Sequence, residues 1–222
     1  MNNLVLITSV ICTPNTPLSY TNTRSVYSHE ERFEQTKKTI ETVKEKIPNL
    51  KILLVECSNL SVEQTDYLTS RCDYFLNLYE NKQVRENVHS ASKALGEGTM
   101  TIEAINYIKK NNIMFDNFFK ITGRYWLSDN FNYTNFDNND IIIHNIHNDR
   151  NNTCTSLYKL KMSNIVEFCD FLVSKIYLMR QCIGYEVLFA MFLNTLKNNK
   201  VIHMNRIGVN GHISVSSDFA DN

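Results

Sequence analysis

The chain has 222 residues, 43% of them hydrophobic, which suits one large domain with a full core better than two small ones. Its 23 basic residues balance its 23 acidic ones, so bulk charge gives no reason to expect nucleic acid or a membrane surface as a partner. No apolar run is long enough to span a membrane, and the six cysteines form no C-x-x-C pair. Leu4–Cys12 is a β-rich apolar run with no basic residue before it. It reads as a first strand rather than a secretion signal. Residues 13–27 hold two of the three prolines and form a loop. Ser28-x-x-Glu31 is a capping box that opens a helix, with Phe33, Ile40, Val43 and Ile47 on one face and Pro48-Asn49 as its stop. Lys51–Cys57 is a second strand.

Ser61-x-x-Gln64 caps a short helix to about Arg71, and Tyr74–Leu78 is a third strand. Residues 80–92 are polar without a clear period. Glu97–Lys110 reads as a helix through Met100, Ala104, Ile105 and Ile108. Asn117–Thr122 is a fourth strand, Asp140–His144 a fifth and Thr153–Leu160 a sixth. Ser163–Met179 and Tyr185–Leu196 are helical, Lys200–Met204 is a late strand, and residues 208–216 form a hairpin or tail. Strands alternating with helices predict an α/β fold: a mostly parallel central sheet flanked by helices, with Leu4–Cys12, Lys51–Cys57 and Asn117–Thr122 inside it.

Several chemistries lack their motifs. Gly96-Glu97-Gly98 is followed by Thr101, so there is no dinucleotide fingerprint, and no Walker lysine or G-x-S-x-G elbow occurs. His144-x-x-His147 falls at a strand end, where hydrogen bonding suits the two rings better than zinc. Cys12, Cys57, Cys72, Cys154, Cys169 and Cys182 are expected to be free thiols of a reducing compartment. Asn59, Asn132 and Asn151 open N-x-S/T sequons that go unused without a secretory signal.

The segment from Phe118 to Trp126 carries the most chemistry. A buried strand ends at Gly123 and opens onto Arg124, Tyr125 and the single tryptophan, Trp126. Ligand sites in α/β chains lie at such strand ends, and a cation beside flat rings suits a phosphorylated, ring-bearing ligand. The alternative is that Tyr125 and Trp126 are core or subunit-contact residues and that Arg124 pairs with a carboxylate.

Four segments carry a family resemblance. They are Ser28-x-Glu30-Glu31-Arg32-Phe33-Glu34-Gln35-Thr36 leading into residues 52–58, Lys93-Ala94-Leu95-Gly96-Glu97, Lys120-Ile121-Thr122-Gly123-Arg124-Tyr125, and the stretch from Gly184-Tyr185-Glu186 to Gly211-His212-Ile213. Their order and spacing resemble small viral and phage-type glycosyltransferase-like proteins of GT-A fold. The resemblance implies a single GT-A-like, Rossmann-like domain over 1–222, with a nucleotide-binding half at 1–122 and an acceptor half at 123–222. It implies transfer of a sugar from a UDP- or GDP-sugar to a glycan or protein acceptor, in the cytoplasm (host cytoplasm for a viral protein), and it leaves room for a homo-oligomer. The family's Asp-x-Asp, which holds Mn or Mg on the sugar diphosphate, is replaced here by Gly123-Arg124-Tyr125, so a divalent metal is in question.

By the resemblance, Thr8 and Ser9 face the nucleotide, with Arg32 and Glu56 near that edge. Lys93, Lys120, Arg124 and Tyr125 are the remaining donor-binding candidates. Fixed Arg and Lys can neutralise a leaving diphosphate as a metal does. Glu186, at a helix start, is the candidate base for the acceptor hydroxyl, and Asp129 and His212 are the candidate metal ligands. Each has a plain structural alternative: a solvated lysine for Lys93 and Lys120, a helix-surface ion pair for Arg32, a dipole-favoured glutamate for Glu186, a tail residue for His212. A GT-A-like domain that binds a nucleotide sugar, glycan or protein without catalysis is the competing function. A nucleotidyltransferase ranks third, because no glycine-rich phosphate loop follows the first strand.

Overall fold

The computed structural model describes residues 1–137, 141–145 (backbone only), 151–196 and 200–222. In chain order the elements are β1 (Asn3–Ser9), α1 (His29–Lys46), β2 (Leu50–Glu56), α2 (Val62–Arg71), β3 (Tyr74–Asn77), α3 (Lys82–His89), α4 (Lys93–Lys110), β4 (Asn117–Thr122) and β5 (Tyr125–Leu127). There follow α5 (Thr134–Asp137), β6 (Ile141–Asn145), β7 (Thr153–Lys161), α6 (Met162–Ser174), α7 (Ile176–Arg180), α8 (Tyr185–Thr195), β8 (Val201–His203), β9 (Val209–His212) and β10 (Phe219–Asp221).

Seven strands make one sheet in the order β3-β2-β1-β4-β7-β6-β8. β3, β2, β1 and β4 run parallel, β7 is antiparallel to both of its neighbours, and β8 is parallel to β6. The expected mostly parallel sheet, with its three named interior strands, is what forms. The continuous apolar runs follow from burial on both faces, because alternate residues of one strand point to opposite sides. Leu4 and Leu6 pack with Leu53, Val55, α4, α6 and α8, whereas Val5 and Ile7 pack with Ile52, Leu54 and the Ile40–Val43 face of α1.

Local signals hold at the helix starts. Both capping boxes form, Ser28 with Glu31 and Ser61 with Gln64, each satisfying orphan helix N–H groups. Asn49 after Pro48 takes a positive φ of 47°, which turns the chain from α1 into β2. All six cysteines are free; Cys57, Cys154 and Cys169 are buried, and Cys182 is exposed.

Three expectations need correction. Residues 82–89, which lack a clear period, form α3, because Asn81 caps it and only Val84 and Val88 face inward. α4 begins at Lys93 rather than Glu97, capped by the Ser92 hydroxyl on the Leu95 N–H. The long helix expected over 163–179 breaks at Lys175 into α6 and α7. The hairpin or tail expected from residue 208 is a hairpin of β9 and β10 that runs on to Asp221, and β9 also pairs with β5 to make a second, antiparallel sheet. His144 and His147 lie outside the residues whose side chains are described. Among the described residues, no helix is long and apolar enough to cross a membrane.

Candidate functional site

The sheet order reverses between β1 and β4: the chain builds outward through β2 and β3, then returns to the other side of β1. Ligands of open α/β sheets bind at the carboxyl ends of the strands at such a reversal. A cavity of about 160 Å³ lies there, lined by Thr8, Ser9 and Val10 after β1 and by Thr122, Gly123, Arg124 and Tyr125 after β4. The loop 13–24, Arg32 of α1, the first turns of α4 and residues 213–215 close it in. It therefore draws on both sides of the 122/123 division.

One helix face sets the geometry of the segment after β4. Thr36, Thr39 and Thr42 recur every three residues along α1, and their hydroxyls bond the Gly123 carbonyl (3.1 Å), the Tyr125 carbonyl (2.6 Å) and the Leu127 N–H (3.1 Å). Thr36 also meets the Ser9 hydroxyl at 3.0 Å. Gly123 permits this approach, since a Cβ there would stand 3.0 Å from Ser9 Cβ and 3.2 Å from Thr36 Oγ1. Tyr125 faces Gly211 across β5 and β9, where any Cβ would strike its ring at 2.1 Å.

The charges are uneven. Arg24, Arg32, Lys93 and Arg124 line the cavity, and Glu97 is the acidic residue among its lining. Arg24 is spent on backbone: it donates to the carbonyls of Thr16 (3.0 Å), Val88 (3.2 Å) and Ser90. Arg32 and Arg124 are each 7% exposed. Arg32 donates through Nε to the Val10 carbonyl at 2.7 Å, and its Nη1 makes only long contacts of 3.4 Å to the hydroxyls of Ser25 and Ser214. The buried Nη1 of Arg124 has no partner among the described residues. Burial first, and the Arg124 charge second, push the Arg32 guanidinium down to about 9, with Glu56 offsetting part of the shift. A buried polar group left without a partner costs roughly 1–3 kcal/mol, more when charged, so this arrangement is held at a cost to the fold.

Glu97 offsets these arginines only in part, because Lys120 engages it directly. Lys120 is 0% exposed, and its ammonium bonds the Glu97 carboxylate, the Thr122 hydroxyl (2.9 Å) and the Thr155 carbonyl (3.3 Å). Burial raises the Glu97 carboxyl's pKa, but Lys120, with Lys93 and Arg124, overcomes this and holds it below the usual value.

The structure thus brings Thr8, Ser9, Arg32, Lys93, Arg124 and Tyr125 together around one cavity. It separates the other candidates. Lys120 is a buried partner of Glu97 and does not line the cavity. Glu56 is fully buried, and its Oε1 accepts from the Ile11 N–H (3.1 Å), the Cys57 N–H (2.9 Å) and the Ser58 hydroxyl (2.6 Å), so it shapes the loops after β1 and β2. Glu186 sits in the first turn of α8 outside the cavity lining, with the Thr155 hydroxyl 3.5 Å from its Oε1. A line of contacts therefore runs from Glu97 through Lys120 and Thr155 to Glu186. Asp129 is exposed and pairs with Lys46 at 3.4 Å. His212 packs among the rings of Tyr27, Trp126 and Phe219 in a separate open groove bordered by Glu30, Glu31 and Glu34. Among the described residues, no group of three or more His, Cys, Asp or Glu side chains could hold a metal ion. Sequence reasoning misses Arg24, whose role depends on a loop path. It also misses the threonine row, although Thr36, Thr39 and Thr42 share one helical face.

No protein-family model matches the sequence, and no curated protein matches it. Solved structures match the fold. A glycosyltransferase involved in glycosylation of the major capsid of PBCV-1 is 10% identical, with a TM-score of 0.52 over 92% of this chain and 82% of that one. A nucleoside-diphosphate-sugar pyrophosphorylase from Vibrio cholerae RC9 is 8% identical, with a TM-score of 0.53 over 93% of each chain. A protein described as a nucleotide-diphospho-sugar transferase from Desulfovibrio desulfuricans G20 is 8% identical, with a TM-score of 0.52 over 92% of this chain and 80% of that one. The likeness is one of fold: this chain shares with these proteins a mixed α/β architecture built on a mostly parallel central sheet.

Proposed function

We propose that the protein is a glycosyltransferase that takes a UDP- or GDP-sugar and passes the sugar to a glycan or protein acceptor. The observation that carries this reading is the cationic cavity at the carboxyl ends of β1 and β4, where the one lining carboxylate among the described residues is already engaged by a lysine. In glycosyl transfer the bond from the anomeric carbon to the diphosphate breaks and a bond to the acceptor oxygen forms. The transition state is oxocarbenium-like, and negative charge grows on the leaving diphosphate. Arg32, Arg124 and Lys93 supply the charge that receives it, while Thr8, Ser9 and Tyr125 border the nucleotide. In an inverting reaction Glu186 takes the acceptor hydroxyl proton, from the far end of the contact line that begins at Glu97. Residues 1–122 then supply most of the donor side and residues 123–222 the acceptor side.

The test is release of nucleoside diphosphate from a panel of UDP- and GDP-sugars by the purified protein, with and without Mn²⁺, and again for Glu186→Gln. Wild type should release UDP or GDP. The variant should keep donor binding and lose about 10²–10⁴-fold in rate, the usual worth of a positioned base. Near wild-type transfer by the variant removes Glu186 from the mechanism. A second reading, a domain that binds nucleotide sugar without transferring it, is favoured by one observation: Glu186 stands outside the cavity lining. Tight donor binding with no turnover on any sugar would establish that reading instead.

A further inference from the structure

The metal that GT-A enzymes place on the sugar diphosphate does not fit the residues present here. The strand end that carries the family's Asp-x-Asp holds Gly123-Arg124-Tyr125, and the nearest lining carboxylate, Glu97, is taken by Lys120. A divalent cation entering this cavity would meet Arg32 and Arg124, and the one carboxylate among its described lining residues is already engaged by Lys120. We infer that Arg32 and Arg124 form a two-cation clamp that binds a diphosphate directly, without a divalent metal. The inference rests on the donor-site reading only for the nucleotide attached to that diphosphate.

Three features support the clamp. Both guanidiniums are more than nine-tenths buried and line the same cavity, so water screens them from each other and from a ligand far less than it would at the surface. Arg124 keeps a buried Nη1 without a partner among the described residues, and Arg32 keeps an Nη1 with only long hydroxyl contacts. Each therefore has donors to spare in the planar fork that matches two phosphate oxygens. Finally, the two like charges repel, and an anion with two linked phosphates meets both at once. A monophosphate brings less charge and fewer acceptor oxygens to the same pair.

Inorganic pyrophosphate isolates this chemistry from any nucleoside contact, so the probes are pyrophosphate, phosphate, UDP and GDP, titrated calorimetrically in EDTA and again in Mn²⁺. Pyrophosphate and one of the nucleotides should bind in EDTA within about threefold of the affinity in Mn²⁺, and phosphate should bind far more weakly. Arg124→Gln should weaken pyrophosphate about 10- to 100-fold, the fold-change that corresponds to one charge-assisted hydrogen bond. The same variant without ligand should melt at or above the wild-type temperature, because it removes a buried cation whose Nη1 has no partner among the described residues. A merely structural arginine would lower it. Arg124→Lys and Arg32→Lys keep a point charge and lose the fork, and should weaken pyrophosphate by an intermediate factor; they serve where a glutamine variant fails to fold. Binding that appears only with Mn²⁺, or folded lysine variants that bind as wild type does, overturns the clamp. Sugar transfer that depends on Mn²⁺ removes the clamp and leaves the transferase reading. Metal-free pyrophosphate binding without any transfer does the reverse.

Discussion

Lys120 and Arg124 stand four residues apart around the end of one strand, both buried, and the protein treats them in opposite ways. Every proton of the Lys120 ammonium has an acceptor: a carboxylate, a hydroxyl and a carbonyl. Arg124 has a buried donor with none among the described residues, and a second buried arginine for company. A buried charge satisfied from within is part of the framework. A buried charge left open is a request for something from outside, and the fold tolerates it only because the rest of the sheet is well packed.

The comparison can be broken most severely at the lysine. Lys120→Gln leaves the Glu97 carboxylate without its cation and should cost about 3–5 kcal/mol in urea unfolding. A loss under about 1 kcal/mol would mean that the pair does not hold the strand end. Gly123→Ala tests the hinge between the two residues. Its methyl group must fit 3.0 Å from Ser9 Cβ, so a loss of about 1–3 kcal/mol is expected. Should that variant also lose pyrophosphate affinity, the threonine-pinned segment is what aims Arg124. Replacing the pair together, Glu97→Leu with Lys120→Met, should recover at least half of the single-variant loss. A buried ion pair exchanged for apolar side chains is close to neutral, and a double-mutant cycle reads the coupling.

The smallest effect is one of pH. The Glu97 carboxyl is held below its ordinary value in the fold, so it binds fewer protons folded than unfolded. Its contribution is complete above the unfolded carboxylate value of about 4.3 and is lost as the pH falls through the lower folded value. Acid titration of wild type should therefore reveal a loss of stability below that range which the Glu97→Leu, Lys120→Met variant lacks. Equal acid sensitivity in both proteins would assign the acid loss to other carboxylates.

Much of this contrast is legible in the residues alone. The runs of β1, β2 and β4 announce strands buried on both faces, the two capping boxes mark α1 and α2, and a cation just past a strand-ending glycine marks Arg124. The partner of Lys120 is not legible. Glu97 lies 23 residues earlier, on a helix whose start the apolar spacing places four residues late, and ion pairs between distant elements leave no periodic trace. The antiparallel direction of β7 is hidden for a related reason: alternation reports which face a side chain takes, not which way the strand runs. Asp129 and His212 are metal ligands by resemblance only, and the chain places one beside Lys46 and the other among aromatic rings.

The closure of the cavity also has a consequence for how the chain is made. The Val26 N–H bonds the Ser214 carbonyl at 2.8 Å, and the Ser214 hydroxyl bonds the Arg24 carbonyl, 190 residues away in the chain, at 2.9 Å. On a ribosome, β1 to β4 and their helices emerge and can pack long before that clasp exists. The arginine pair thus waits, open on one side, until Ser214 has left the exit tunnel. A nascent chain halted short of that point would carry a nearly complete sheet and a ligand cavity still missing a wall.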